Sequence, residues 1–221
     1  MTAKHSTPSK EEMALMPAFV GLTLEQIHVP TTKEEFAAAT AAIKAAGIVG
    51  FDTESKPTFA VGEVSNGPHV VQFALHDKAY LFQVHRTEGL PFLTELLRSD
   101  AVIKVGFGLK SDSGHIFKKF GIQFSAVVDL NTVFSMQGHQ KEMGVRNAVA
   151  FMFKQRFAKS RKVTTTDWSQ HELSQPQQLY AANDAYAALK VFEALKLPRN
   201  QLPIMGAHEP KQSADKGELL E

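Results

Sequence analysis

The acidic pair in Phe51-Asp52-Thr53-Glu54 constrains this chain more than any other stretch. It follows an apolar run at residues 47–50, in which β-branched residues after a helix-stopping glycine predict a buried strand. Residues two apart on a strand point to the same face, so Asp52 and Glu54 are expected to project together from the strand end. At a separation of about 4 Å and an effective dielectric constant near 20, two such charges repel by roughly 4 kcal/mol. The pair therefore favours a shared proton or a bound cation such as Mg²⁺, and the alternative is a turn-capping Asp52 beside a solvated Glu54.

Length and composition bound the class of protein. A chain of 221 residues with 43% hydrophobic residues suits one domain with a packed core. Polar, proline-punctuated ends predict an N-terminal arm at residues 1–20 and a C-terminal tail at residues 199–221, around a domain at residues 21–198. The absence of cysteine excludes disulfides, thiolate catalysis and cysteine-ligated metal. Because no apolar run or signal-peptide core is present, we expect no membrane partner and a cytoplasmic, intracellular location, with the nucleus left open.

The order of predicted elements indicates a mixed sheet. A capping box at Thr32 opens a helix that Gly47 ends, and the strand carrying Asp52 follows. Together with that strand, the apolar segments at residues 69–75 and 79–84 predict a three-stranded antiparallel meander. Further along the chain we expect a short helix at residues 91–97, strands at residues 101–105 and 126–129, a helix between them at residues 111–120, and a long helix from Ser174 to about Leu197. Meander, then strand-helix-strand, then helices, predicts an α/β fold with helices flanking the sheet.

A tyrosine and an aspartate share one face of the long helix. Tyr180 and Asp184 are four residues apart, so they lie one above the other, and the alanines around them allow close approach to a neighbouring element. A phenol and a carboxylate would then belong to one site. The alternative is a half-buried core tyrosine beside a hydrogen-bonded or solvated aspartate.

The glycine-rich turn before the helix at residues 111–120 has two interpretations. In one, residues 106–129 form a dinucleotide-binding unit, because a strand, a Gly-x-Gly turn and a helix are followed by Asp129 at the end of the next strand. In the other, Asp112 in the first turn of the helix is another acidic ligand at the same sheet edge. A plain helix-start aspartate, favoured by the helix dipole, is the third possibility.

These motifs together resemble those of a known enzyme family. Asp52-x-Glu54, Asp112 after a Gly-x-Gly turn, and Tyr180-x-x-x-Asp184 are similar to the three motifs of the DEDDy 3'-5' exonucleases. The resemblance is closest to the Werner-syndrome exonuclease domain and next to ribonuclease D. It spans roughly residues 25–197.

The resemblance implies a ribonuclease-H-like (DnaQ-like) exonuclease fold and hydrolysis of phosphodiester bonds from a free 3' end. It implies two divalent metal ions, Mg²⁺ or Mn²⁺, bound by Asp52, Glu54, Asp112 and Asp184. Tyr180 would position the attacking water. The partner would be DNA and/or RNA, with DNA favoured, and the alternatives are ribonuclease D-like processing of RNA 3' ends or a dinucleotide-binding protein.

A local basic segment gives candidates for substrate binding. The net charge of +1 carries no such signal, whereas residues 143–166 contain no acidic residue and carry a charge of +6 with phenylalanines interleaved. Such a segment is typical of a phosphate-backbone track, and a solvated helix face over core phenylalanines is the alternative. Trp168 is a candidate for base stacking, although the sequence favours a core or hinge aromatic at this position. The substrate-binding candidates are Thr53, Lys159, Arg161, Lys162 and Trp168.

Overall fold

A six-stranded sheet lies between two layers of helices. The computed structural model describes residues 7–58, 65–139 and 141–206. The strands are β1 (Ile27–His28), β2 (Ile48–Glu54), β3 (Val70–Ala74), β4 (Ala79–Gln83), β5 (Ile103–Gly106) and β6 (Val127–Asp129). The α-helices are α1 (Lys10–Leu15), α2 (Lys33–Ala46), α3 (Leu90–Arg98), α4 (Leu109–Phe120), α5 (Leu130–Met136), α6 (Gly144–Phe153), α7 (Arg161–Thr164) and α8 (Gln175–Leu195).

The strand order is β1-β4-β3-β2-β5-β6. Strand β3 pairs antiparallel with both β2 and β4, which confirms the expected meander. Strands β2, β5 and β6 are parallel, so their carboxyl ends meet at one edge of the sheet. Strand β1 was not predicted, because two residues are too few to produce a recognisable alternation of apolar and polar side chains.

Each face of the sheet has its own apolar core. On one face, α2, α3 and α4 pack against β2, β3 and β4, with Phe51 and Phe73 in edge-to-face contact at 5.4 Å between ring centres. On the other face, the alanine-rich side of α8 packs against β3 and β5 and, together with α5 and α6, encloses a second apolar layer. Because α8 crosses the centre of the sheet, its residues can reach the end of β2.

The structure confirms the capping box and the terminating glycine that the sequence predicts for α2, the helix before β2. Thr32 accepts a hydrogen bond from the backbone N–H of Glu35, and the side chain of Glu35 accepts one from the backbone N–H of Thr32, which closes the capping box of α2. Gly47 ends α2 at a φ of 68°, a conformation that glycine adopts without steric cost. Strand β2 begins at the next residue, which fixes the register of Asp52 and Glu54 on the sheet.

Both terminal segments contact the domain within the described residues. The N-terminal arm pairs with Arg156. The backbone N–H of Arg156 donates to the carbonyl of Pro17 at 2.7 Å, and its carbonyl accepts from the backbone N–H of Phe19 at 3.0 Å. In the C-terminal segment, Met205 pairs with Val127 through two backbone hydrogen bonds of 2.8 and 3.0 Å, which covers part of the outer edge of β6. Residues 1–6 and 207–221 of the predicted arm and tail lie outside the described residues. Within the described ranges, no helix combines the length and apolarity that crossing a membrane requires.

Candidate active site

Three carboxylates from two elements converge at the end of β2. Val49 and Phe51 point into the core on the α2 face, so the alternation of the strand turns Asp52 and Glu54 towards α8. There they meet Asp184, which is 4% exposed. Oxygen atoms of the three side chains all lie within 4.8 Å of one another. We call Asp52, Glu54 and Asp184 the acidic cluster.

Asp112 lies beside the acidic cluster without joining it at that distance. As expected, it occupies the first turn of α4, at the carboxyl end of β5. Thr53, which points away from α8, donates from its hydroxyl to Oδ1 of Asp112 at 2.8 Å, and its backbone N–H donates to Oδ1 of Asp52 at 2.9 Å. Thr53 therefore orients two carboxylates, a role that sequence reasoning did not assign to it.

Burial and mutual repulsion shift the ionisation of the acidic cluster. Burial, followed by the charges of Asp184 and Asp112, raises the pKa of Asp52 well above its usual range. Burial and the charge of Asp52 raise the pKa of Glu54 to about 9. Burial also raises the pKa of Asp112. Without a compensating cation, carboxyl groups of this site therefore keep their protons at a pH where carboxyl groups in water have lost them.

One cation of the chain itself lies in the site. The ammonium of Lys159 forms an ion pair with Oδ2 of Asp184 at 2.5 Å and lies 5.1 Å from the ring centre of Tyr180. Burial alone would lower the pKa of Lys159, but the charge and hydrogen bond of Asp184, together with the charge of Asp52, outweigh it and raise the pKa above its ordinary value. The structure brings Lys159 to the carboxylate of Asp184, and the expected contact of Lys159 with substrate stays a prediction. Sequence reasoning missed the contact with Asp184 because the two residues belong to segments that only the fold brings together.

Tyr180 occupies the expected position on α8, one turn before Asp184. Its hydroxyl accepts a hydrogen bond from Thr164 at 3.0 Å. Burial and the charge of Asp184 raise the pKa of Tyr180 to about 12, so the phenol stays protonated at neutral pH. It can orient a water molecule by hydrogen bonding, but it is a poor proton acceptor. Thr164 carried no signal in the sequence.

Trp168 does not present a face to solvent. It is 1% exposed, its ring packs against Tyr180 at 5.8 Å between ring centres, and its indole N–H donates to the carbonyl of Thr164. The structure therefore supports the core alternative, in which Trp168 holds Tyr180 and Thr164 in place. A contribution of Trp168 to substrate binding stays a prediction.

The basic segment divides into a core part and an exposed part. Phe157 is buried and Phe153 partly buried, and both pack against Phe19, which supports the alternative of core phenylalanines. Lys162 is exposed on α7, and the side chain of Arg161 lies outside the described part of the chain. The contribution of either residue to substrate binding stays a prediction.

The structure gives Asp129 a role that contradicts the dinucleotide interpretation. Its carboxylate is 3% exposed and accepts from the backbone N–H groups of Gly108 at 3.2 Å and Asn131 at 2.9 Å. It therefore caps the chain at the start of α4 and α5 and cannot reach a ribose. Because Asp129 also fills the position where a helix N-terminus would bind a phosphate, residues 106–129 do not form a dinucleotide site.

The residues present fit a divalent cation. The cluster offers only oxygen ligands, as hard cations prefer. A divalent ion would also neutralise the negative charges that make these carboxylates repel one another. Both carboxylate oxygens of Asp184 are shielded from solvent, so their charge is stabilised by a cation, either Lys159 or a bound metal ion, rather than by water. The charges of both Asp184 and Asp112 raise the pKa of Asp52, so the Asp52 carboxylate interacts with the acidic cluster and with Asp112.

Comparison with known sequences identifies relatives of this chain. A family model for the 3'-5' exonuclease matches residues 27–198. The chain is 29% identical over 151 residues to a 3'-5' exonuclease of Arabidopsis thaliana, covering 67% of this chain and 52% of the relative. It is 28% identical over 150 residues to the bifunctional 3'-5' exonuclease/ATP-dependent helicase WRN of Mus musculus, covering 67% of this chain and 11% of the relative. The chain therefore spans about half or less of the length of these relatives.

Solved structures confirm the ribonuclease-H-like fold. The Nibbler EXO domain of Aedes aegypti superimposes with a TM-score of 0.67 at 22% identity, covering 79% of this chain and 89% of that one. RNase D of Escherichia coli superimposes with a TM-score of 0.65 at 21% identity, covering 76% of this chain and 44% of that one. With the family match over most of its length, the chain belongs to the 3'-5' exonuclease family.

Proposed function

We propose that this protein is a metal-dependent 3'-5' exonuclease that removes nucleotides from the free 3' end of DNA or RNA. The observation that carries this proposal is the convergence of Asp52, Glu54 and Asp184 at one edge of the sheet, with Asp112 and the Tyr180 phenol beside them. The family match supports the same chemistry. The Tyr180 phenol, whose pKa is raised to about 12, stays protonated at neutral pH and is a poor nucleophile.

Each residue of the site has a distinct task in this proposal. Asp52, Glu54 and Asp184 would hold one divalent ion, Mg²⁺ or Mn²⁺, and Asp52 with Asp112 would hold a second. Thr53 fixes the orientation of Asp52 and Asp112, the two residues that would hold the second ion. Two such ions supply an activated water and stabilise the charge on the leaving oxygen.

The reaction is an in-line displacement at phosphorus. The oxygen of a water molecule forms a bond to phosphorus while the bond from phosphorus to the 3' oxygen breaks. The released proton ends on the 3' oxygen of the shortened strand, and a 5'-mononucleotide leaves. The protonated Tyr180 hydroxyl, held by Thr164, orients the water for attack, and the chain itself forms no covalent intermediate.

A single degradation experiment tests this function. A 5'-labelled oligonucleotide is expected to shorten stepwise from its 3' end with Mg²⁺ or Mn²⁺ and to stay intact in chelator. Matched DNA and RNA strands with single-stranded, recessed and blunt 3' ends would identify the substrate class. Degradation that continues in chelator would overturn the assignment of the acidic cluster as a metal site.

Replacing Tyr180 by phenylalanine tests its role in orienting water. The variant keeps the ring that packs on Trp168 and loses only the hydroxyl, so folding and oligonucleotide binding are expected to be unchanged. The cleavage rate should fall by about 100-fold, as for loss of one positioned catalytic group. Trp168→Phe is the control for altered packing behind the ring. A Tyr180→Phe enzyme with the wild-type rate would leave Tyr180 as a core residue.

A further inference from the structure

A second cavity lies next to the cavity at the acidic cluster. The cavity at the cluster has a volume of about 280 Å³ and is lined by Asp52 and Asp184. A larger cavity of about 720 Å³ adjoins it, and the two share Gly144, Val145 and Lys159 as lining residues. A strand whose 3' end lies at the cluster can therefore extend into the larger cavity, which we call the arm cavity.

The arm cavity has basic and apolar walls. Among the residues that line it, none is acidic, and the basic ones are Lys10, Arg146, Arg156 and Lys159. Apolar surface comes from Pro8, Met13, Ala14, Val145 and Phe157. Cations that bind phosphates beside apolar surface that contacts bases are the combination found in sites for single-stranded nucleic acid.

One wall of the arm cavity belongs to the N-terminal arm. Helix α1 contributes Lys10, Met13 and Ala14, and the arm continues into the backbone pairing with Arg156. Further along, the side chain of Asn183, next to Asp184, accepts from the backbone N–H of Leu22 at 2.6 Å and donates to its carbonyl at 3.2 Å. The arm is therefore attached at the basic segment, and the chain that directly follows it is attached at α8. The arm also precedes residue 27, where the family match begins.

We propose that the arm cavity binds the nucleotides immediately upstream of the 3' terminus of a single-stranded polynucleotide. If one nucleotide fills the cavity at the acidic cluster, the larger volume has room for about two more. Lys10, Arg146 and Arg156 contact the phosphates, and Met13 lies against a base. This proposal rests on the exonuclease function and adds to it a subsite that the arm completes.

Charge removal tests the phosphate contacts. Binding of a 5'-labelled single-stranded oligonucleotide would be measured by fluorescence anisotropy in chelator, so that the strand stays intact. The triple variant Lys10→Gln, Arg146→Gln, Arg156→Gln is expected to bind about tenfold more weakly, with a salt slope lower by about 2, since each single-strand phosphate contact contributes about 0.7. The control triple variant is Lys33→Gln, Arg98→Gln, Lys118→Gln, which makes the same change of charge on exposed positions of α2, α3 and α4. Equal salt slopes for the two triple variants would overturn the proposal.

A matched pair of substitutions tests the arm itself. Met13→Glu places a negative charge in the arm cavity and should weaken oligonucleotide binding several-fold. Leu15→Glu makes the same change on the same helix at a residue that is 90% exposed and does not line the cavity, so binding should stay as in wild type. Since no residue of α1 is buried, neither change affects the core. Equal effects of the two substitutions would show that the arm does not line a subsite.

Cleavage of the p-nitrophenyl ester of a nucleoside 5'-monophosphate separates this proposal from the exonuclease function. This ester carries a single nucleotide and no upstream phosphate or base to enter the arm cavity, so the triple variant should cleave it with the wild-type kcat/KM while its KM for an oligonucleotide rises. If neither substrate is cleaved by wild type, the exonuclease function fails, and anisotropy still decides on the cavity. An equal loss on both substrates would place the three basic residues in the active site and overturn the proposal.

Discussion

Lys159 gives the acidic cluster a cation before any metal binds. Its ammonium pairs with the buried carboxylate of Asp184, so a metal ion must compete with it for that ligand. We expect Lys159→Gln to bind Mn²⁺ about tenfold more tightly, which corresponds to about 1.4 kcal/mol and is the order of one charged hydrogen bond. Isothermal titration of Mn²⁺ into wild type and variant measures this difference.

Lys162→Gln serves as the control for the Lys159 substitution, because Lys162 is an exposed member of the same basic segment. Its Mn²⁺ affinity should match that of wild type. If Lys159→Gln bound Mn²⁺ no more tightly than this control, the ion pair with Asp184 would not compete with metal.

The residues of the site differ in how far the sequence predicts them. Asp52 and Glu54 follow from the alternation of a single strand, and Tyr180 and Asp184 from the period of a single helix, so local patterns suffice for them. The contacts of Lys159 with Asp184 and of Thr53 with Asp112 join residues far apart in the chain. No local pattern encodes such contacts, because they depend on how whole elements pack.

A buried lysine outside the site makes stability depend on pH. Lys104 on β5 is fully buried, and its ammonium donates to the carbonyls of Ser99 at 2.8 Å and Leu96 at 3.3 Å. Burial lowers the pKa of Lys104 from 10.5 to about 7. Between those pH values the unfolded chain holds a proton that the folded chain has released, so this lysine makes stability rise with pH, by up to about 1.4 kcal/mol per unit.

The substitution Lys104→Met isolates this contribution. Urea denaturation of both proteins from pH 7 to pH 9 should show the free energy of unfolding of wild type rising relative to that of the variant. The acidic cluster acts in the opposite direction, since the raised pKa of Glu54 makes stability fall as pH rises, but it is present in both proteins and cancels in the difference. Parallel pH profiles would show that Lys104 keeps its proton when folded.

At the scale of elements, the site depends on the close approach of α8 to β2. A Cβ atom added to Gly50 would lie 2.0 Å from the carbonyl oxygen of Ala185, so no other residue fits without separating the helix from the strand. Gly50 is two residues before Asp52, and Ala185 follows Asp184. The same contact that packs the two elements therefore sets the distance between carboxylates.

Gly50→Ala tests this coupling. Overpacking should lower the free energy of unfolding by about 1–3 kcal/mol, and it should also weaken Mn²⁺ binding, because Asp52 and Asp184 move apart. Gly114→Ala on α4 is the control, since an added Cβ there meets nothing within 4 Å. Urea denaturation and Mn²⁺ titration measure the two effects. A variant that loses stability but keeps its Mn²⁺ affinity would show that the ligands adjust independently of the packing.

Elements with strong local signals were predicted, and elements that depend on distant partners were not. The capping box and glycine stop bound α2, and alternating apolar residues identify β3 and β4, so these follow from short stretches of sequence. The pairing of the N-terminal arm with Arg156 is set by contacts of Phe19 with the aromatic residues around α6. Short stretches of sequence do not reveal such contacts, so they predict this segment as an unattached arm.

For the whole molecule, repulsion within the acidic cluster lowers the stability of the folded state, and metal binding is expected to remove this repulsion. The carboxylates of the cluster are buried and repel one another, and both effects raise the pKa of Asp52 and of Glu54. An ion that binds only the folded state stabilises it in proportion to the logarithm of its concentration over its dissociation constant. The stability of the folded protein should therefore report directly on occupancy of the site.

Thermal unfolding of wild type and Asp52→Asn tests this link. At a Mn²⁺ concentration of about 100 times the dissociation constant, wild type should gain about 2.7 kcal/mol, or roughly 5 to 10 °C in melting temperature. Asp52→Asn keeps the shape of the side chain and removes one of the repelling charges, so without metal it should melt at or above the wild-type temperature, and it should respond much less to Mn²⁺. Asp77→Asn, on an exposed turn residue, should behave as wild type in both conditions. An equal response of Asp52→Asn and wild type to Mn²⁺ would show that Asp52 is not a ligand, because a lost ligand must reduce the stabilisation that the ion provides.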